Sequence, residues 1–381
     1  MSREHGEEKN MKRTRLLLMG LVAALLLIAV VNAGQLALLN PIVEEKMAEA
    51  KEAARPAELK LTTITTSCSN CFPIEDVTDR IKTGNVNIVS ERALQSTEPE
   101  AKNLILKHGI ARLPTVVAEG ELEKAGFLLS FMEEGNDAFI FSDVLAPYVD
   151  AASGNVKGSV AAILLAKDTC EKCTDPEPLL TQFAQAGVAI GQQDRIDADS
   201  AEGKELIARY GIEKLPALIL DQELNEYPEI AQAWKLAGSI EEDGSFVQRE
   251  VEPPYYSIPD RKVKGFVDVI YLSDSSCEEC YDPKEVHSQI LSRMGIAKGS
   301  EEVIDAVSAK GKELVERYEI AKLPTLLLSG DVEEYPLLIA SWKQVGKVAN
   351  DSTYVFEAVE FAGLPYMDAA TGKVTQPSQQ P

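Results

Sequence analysis

Residues 200–216 read SAEGKELIARYGIEKLP, and residues 308–324 read SAKGKELVERYEIAKLP; twelve of the seventeen positions match. So dense a match marks an internal repeat, and a repeat governs the architecture before any single element is read. A more diverged copy, EPEAKNLILKHGIARLP, occupies residues 98–114. All three end in Leu-Pro: Leu113-Pro114, Leu215-Pro216 and Leu323-Pro324. The prolines are 102 and 108 residues apart, and each opens an apolar run, TVVA, ALIL or TLLL.

Upstream of each Leu-Pro lies a Cys-x-x-Cys pair: Cys68 with Cys71, Cys170 with Cys173, and Cys277 with Cys280. The chain has no other cysteine, and each leucine follows its leading cysteine by 45 or 46 residues. Apolar, strand-like runs lead into the pairs: LTTITT from 61, VAAILLA from 160 and VDVIYL from 267. A helix is expected to start at or near the first cysteine, with Asp175-Pro176 and Asp282-Pro283 in its first turn. A second strand follows, clearest as VNIV from 86. The helix before Leu-Pro carries the stripe Leu206, Ile207, Tyr210, repeated as Leu314, Val315, Tyr318. Ser200 and Ser308 are the expected N-caps, and Gly203 and Gly311 the expected points of close packing. Trp234 and Trp342 sit at matched positions in a short amphipathic stretch and read as core. A last strand is expected near Phe246-Val247 and Tyr354-Val355. Pro147-Tyr148, Pro254-Tyr255 and Pro365-Tyr366 recur at the repeat ends.

Strand, helix, strand, helix, strand defines an α/β layout with part of the sheet parallel. The strand-to-helix junction carrying each pair is where such folds place their sites. The expected organisation is a basic cytoplasmic tail (1–15), a transmembrane signal-anchor (16–33) and a helical spacer (34–58). Three domains follow (59–158, 159–265 and 266–374), then a disordered tail (375–381).

Composition agrees with a folded, multidomain chain: 381 residues, 45% hydrophobic and 26% charged. Lys plus Arg total 38 against 61 Asp plus Glu, a formal net charge of -23. That balance leaves no large basic surface to replace the counterions of a nucleic-acid backbone, and it disfavours docking on anionic lipid. Residues 16–31, LLLMGLVAALLLIAVV, would span about 24 Å as a helix. Lys12, Arg13 and Arg15 precede this run and should stay cytoplasmic, which puts the repeats outside. A signal peptide cleaved after Val31-Asn32-Ala33 is the competing reading, and it too exports the repeats.

Two cysteines three positions apart can share a small-ring disulfide. One thiolate attacks a partner's disulfide, and the second releases the mixed species. Free N–H groups at a helix start would favour the thiolate of the leading cysteine, taken to be exposed with its partner one turn inward. The charges between the cysteines bias this chemistry: Glu278 and Glu279 oppose ionisation, Lys172 offsets Glu171, and Ser69-Asn70 carries none. Cys68 is therefore expected to have the lowest thiol pKa of the leading cysteines. A cis bond before each proline would turn the preceding backbone toward the cysteines, where an extended client peptide could pair with it.

A strand ending in Cys-x-x-Cys, with a strand-opening proline some 45 residues later, resembles the thioredoxin family. The resemblance spans about residues 59–374. It implies three tandem thioredoxin-like domains, with Cys68, Cys170 and Cys277 as nucleophiles and Cys71, Cys173 and Cys280 as resolving residues. Pro114, Pro216 and Pro324 would be cis prolines that position the substrate. The implied activity is thiol–disulfide exchange on extracytoplasmic proteins, as oxidase, isomerase or reductase, without metal or organic cofactor. Partners would be protein thiols or disulfides and an integral-membrane electron donor or acceptor. The chain departs from the family in lacking Trp-Cys-Gly-Pro-Cys. Thr62, Leu164 and Tyr271 stand where many thioredoxins bury an acid. The rival reading is a membrane-tethered protein-binding scaffold whose pairs are structural disulfides. A zinc site is disfavoured, because each repeat offers two thiolates and the only nearby histidines, His108 and His287, look incidental.

Overall fold

The computed structural model of the chain describes residues 4–376. Of the expected tail, Thr375 belongs to the short strand Val374–Thr375 and residues 377–381 lie outside the described residues. One continuous helix, Glu4–Ala54, carries the apolar segment. Its stretch Leu17–Gln35 is long and apolar enough to cross a membrane, at about 28 Å for nineteen residues. The helix stops where Pro56 disfavours helical backbone at Arg55. Arg55 then pairs with Glu52 at 2.7 Å and with Glu121 at 2.6 Å. The guanidinium holds the Glu121 carboxyl down to about 2.

The chain divides into two compact units after Asn155; the first holds repeat one, the second repeats two and three. Each repeat builds a five-stranded mixed sheet in the same order. In repeat two the order is Ala189–Asp197, Ser159–Ala166, Ala217–Leu220, Phe246–Gln248, Gly238–Ile240. The leading strand runs parallel to its helix-connected neighbour and antiparallel to the strand opened by the proline. Repeats one and three follow the same rule around Ala57–Thr65 and Val267–Ser273. These are three tandem α/β units of one topology, the arrangement that the resemblance to the thioredoxin family implies.

Each sheet has apolar residues on both faces, as a helix-flanked sheet requires. In repeat two, Val160, Ala162 and Leu164 enter one core with Trp234 and Phe246. Leu165 enters the other with Tyr210, Leu215 and Val247. Repeat three alternates likewise, with Val269 and Tyr271 against Leu272. Trp234 and Trp342 are core, and each indole N–H donates to a backbone carbonyl at 3.2 Å, on Ser239 and Lys347. Ser200 and Ser308 cap their helices by accepting from Gly203 and Gly311 at 2.9 and 3.0 Å. Those glycines are required by space, since a Cβ would lie 2.2 Å from the Asp197 carbonyl oxygen or 2.0 Å from that of Asp305.

Candidate active site

Each leading strand, flanked on both sides in its sheet, delivers the chain to its cysteine pair beyond the strand's C-terminal end. Ile64 pairs with Thr115, Leu165 with Ala217 and Leu272 with Thr325. Continuing that register by one residue sets Pro114, Pro216 and Pro324 level with Thr65, Ala166 and Ser273, just ahead of the cysteines. The bonds Leu113-Pro114, Leu215-Pro216 and Leu323-Pro324 are cis, as are Ala146-Pro147 and Pro253-Pro254. All three strand-opening prolines are buried.

The pairs are closed as disulfides with Cα atoms 5.5 Å apart in every repeat. All six cysteines are half-buried, so the expected contrast between an exposed leading residue and an inner partner does not appear. Cys68 and Cys71 pack on a cluster containing Leu113 and Val149, and Cys277 and Cys280 on one containing Leu323 and Met367.

Two expectations are corrected by the backbone. The helices do not begin at the leading cysteines. They span Glu75–Lys82, Glu177–Gln185 and Pro283–Arg293, each beyond the second cysteine. Pro73, Pro176 and Pro283 set these starts, because proline restrains the residue before it and lacks the N–H a helix interior needs. Asp282 confirms the boundary by accepting from the Lys284 amide at 2.8 Å. The thiolate stabilisation argued from a helix terminus at the leading cysteine therefore loses its structural basis.

The backbone ahead of each proline also departs from expectation. It is not open to a client, because it is already paired within its own repeat. Leu113 pairs with Val149, Leu215 with Tyr256 and Leu323 with Met367, all antiparallel. The ladder extends through bonds from the Ala151, Ile258 and Ala369 amides to the carbonyls of Ala111, Glu213 and Ala321, each 2.9 Å. The residue after each second cysteine is held by the same segment. Phe72 and Thr174 donate to the Pro147 and Pro254 carbonyls at 2.8 Å, and Tyr281 donates to that of Pro365 at 3.2 Å. The recurring Pro-Tyr sequence thus marks a strand laid between the cysteine loop and the proline edge.

The positions of the missing acid are filled without one. Thr62 is buried and accepts from the Arg92 Nε at 3.1 Å. Leu164 is fully buried. The Tyr271 hydroxyl donates to Glu301 at 2.9 Å, and burial, helped by that bond, pushes it up to about 12.

His287, read from sequence as incidental, belongs to the site of repeat three. Its Nε2 lies 3.0 Å from the Tyr281 hydroxyl, which also reaches the Pro324 carbonyl at 3.2 Å. Burial pushes the imidazole down to about 4, so it is neutral at neutral pH. A neutral His287 with its proton on Nε2 donates to Tyr281, whose own proton then serves Pro324. The only hint in the sequence was the tyrosine directly after Cys280. Phe72 and Thr174 occupy the matching positions, and Phe72 instead stacks on Phe141 at 5.6 Å. Among the described residues, no group of three or more His, Cys, Asp or Glu side chains gathers as a metal site.

No family model and no curated protein matches the chain. Solved structures do. The alkylhydroperoxide reductase AhpF of Enterococcus faecalis is 20% identical over 46% of this chain and 83% of its own, with a TM-score of 0.16. Human ERp44 is 10% identical over 82% of this chain and 94% of its own, with a TM-score of 0.15. Full-length ERdj5 is 12% identical over 71% of this chain and 41% of its own, with a TM-score of 0.14. At these scores the fold assignment rests on the strand order and on the position of the cysteine pairs within it.

Proposed function

We propose that the chain carries out thiol–disulfide exchange on proteins outside a membrane, to which its apolar N-terminal helix attaches it. Cys68, Cys170 and Cys277 are the attacking residues, Cys71, Cys173 and Cys280 the resolving ones. Pro114, Pro216 and Pro324 shape the edge beside them. The observation that carries this reading is the threefold recurrence of one arrangement: a half-buried disulfide at the end of a sheet strand, beside a buried proline. A disulfide that only braced a domain would have no need of that common place beyond the end of the leading strand.

In the reducing direction the leading thiolate attacks one sulfur of a client disulfide. A mixed disulfide forms, and the other client sulfur leaves as a thiolate. The resolving thiolate then attacks the leading sulfur, closes the internal disulfide and frees the second client thiol. Two electrons pass to the client; the reverse sequence oxidises it. The basic residues ahead of the apolar segment support an orientation with the repeats outside.

The test uses full-length chains that keep one cysteine pair, the other four cysteines being changed to Ser. Each should exchange with a disulfide substrate, and Cys68→Ala, Cys170→Ala or Cys277→Ala should lower the rate more than about a hundredfold in its own background. Exchange that survives loss of all three leading cysteines refutes the proposal.

A further inference from the structure

We propose that the strand at the end of each repeat is an internal competitor for the client, a strap that must lift before an extended polypeptide can reach the disulfide. This rests on the exchange reading above and names what the closed site selects. With the strap down, the pair is open to small disulfides; with the strap lifted, it accepts an extended chain with an apolar residue opposite Leu113, Leu215 or Leu323.

The strap uses the backbone groups that a client would use. Its carbonyl at Pro147, Pro254 or Pro365 takes the amide just after the second cysteine. Two residues on, Val149, Tyr256 or Met367 lies opposite the leucine before the proline. Both edges that flank the disulfide are therefore filled by one segment. The three straps read Pro-Tyr-Val, Pro-Tyr-Tyr and Pro-Tyr-Met, with Val149, Tyr256 or Met367 in the place opposite the leucine. Met367 is buried on the cluster that also receives Cys277 and Cys280. A competing segment that restored the same ladder would fill the same hollow.

The strap is also built to open locally. In repeat three it comprises Tyr366–Asp368 and the return strand Val374–Thr375, and the edge it covers is Lys322–Leu323. These three strands form a sheet separate from the five-stranded one. Its turn is closed locally by Asp368, which accepts from the Thr371 amide and hydroxyl at 2.7 Å each. Short, half-exposed ladders are the segments that open without global unfolding. A client that pairs with the freed edge replaces the lost bonds, so the exchange of strand for strand can be nearly balanced. A site whose competent form is only partly populated binds more weakly by that fraction.

The test uses the full-length chain with Cys68, Cys71, Cys170 and Cys173 changed to Ser, so that only repeat three reacts. Two probes carry the same leaving group: hydroxyethyl disulfide, and a linear peptide whose central cysteine is held as its mixed disulfide with mercaptoethanol. Met367→Ser removes the apolar side chain from the cluster without adding a charge beside the cysteines, and loosens the strap. We expect the peptide reaction to quicken at least roughly tenfold, while the small-disulfide reaction changes less than about threefold. Equal changes with both probes, or an unchanged peptide rate, overturn the strap. A second measurement keeps the unaltered strap in view. In the Cys280→Ser chain trapped with the peptide, the Ala369 amide should lose its protection from hydrogen exchange. Retained protection likewise overturns the proposal. Failure of both probes to react in every variant, with Ala369 still protected, removes the exchange chemistry as well; a loosened variant that still reacts with hydroxyethyl disulfide alone removes only the strap.

Discussion

Repeats two and three share their sheet order, their helix caps and their buried tryptophans, yet they secure the cysteine site from opposite sides. In repeat two the strap is fastened by the next repeat. The Tyr255 hydroxyl donates to Glu334 at 2.6 Å, and Lys264 at the strap's end reaches Asp260 at 2.8 Å and Glu334 at 3.5 Å. Burial, with Glu334 second, raises the Tyr255 hydroxyl above its ordinary range. In repeat three the matching Tyr366 is only half-buried, with Lys322 over its ring at 5.8 Å. There the firm anchor is the proline itself, held from behind through Tyr281 and His287. Repeat two has Thr174 and Leu180 at those places. Duplication kept the scaffold and let the fastenings diverge, so one chain carries an outwardly pinned site beside an inwardly pinned one.

The largest difference should appear on acidification. His287 sits at about 4 in the fold against an ordinary 6.5. The depressed folded value means that the neutral ring favours folding above pH 6.5. That contribution fades as pH falls toward 4, and its full size is roughly 3 kcal/mol. Repeat three should therefore lose hydrogen-exchange protection of its core strands between these limits, while repeat two does not. His287→Leu should remove the difference; if protection falls equally in both repeats, or in neither, the asymmetry between them is wrong.

A smaller effect is expected from Tyr255→Phe. Losing one hydrogen bond to a carboxylate should cost the strap of repeat two about 1.5 kcal/mol and speed exchange of the Ile258 amide roughly tenfold. An unchanged Ile258 rate would mean that Glu334 does not hold the strap. The smallest concerns the strap turn. Arg261 has φ of 52°, where the corresponding turn residues of repeats one and three, Gly154 and Gly372, have 73° and 71°. Arg261→Gly should relieve the left-handed strain of a side chain there, by at most about 1 kcal/mol. The same Ile258 amide should then exchange more slowly, and faster exchange would contradict the assignment.

Much of the site was legible in the sequence because the repeats report on one another. Cysteine pairs, prolines, capping serines and buried tryptophans recur at matched positions, and each has a local physical reason to do so. The helix starts differ from expectation because Pro73, Pro176 and Pro283 outweigh the Cys-x-x-Cys motif: proline restrains its predecessor whatever the motif. His287 escapes a reading by pattern because its value lies in contact with Tyr281 and the Pro324 carbonyl, and no spacing rule reports a contact through a buried hydroxyl. The strap was visible only as a recurring Pro-Tyr.

By itself, the sequence determined that the chain is three copies of one α/β unit behind an apolar helix, each copy with two thiols ahead of a proline. Hydrophobic period, capping chemistry and proline geometry act over a few residues, so they can be read in order along the chain. What only the tertiary structure decided is which backbone groups beside the disulfides are free and which are taken. That outcome depends on strands of two or three residues pairing across some thirty-five to forty-five positions, where local preference is too weak to announce a partner.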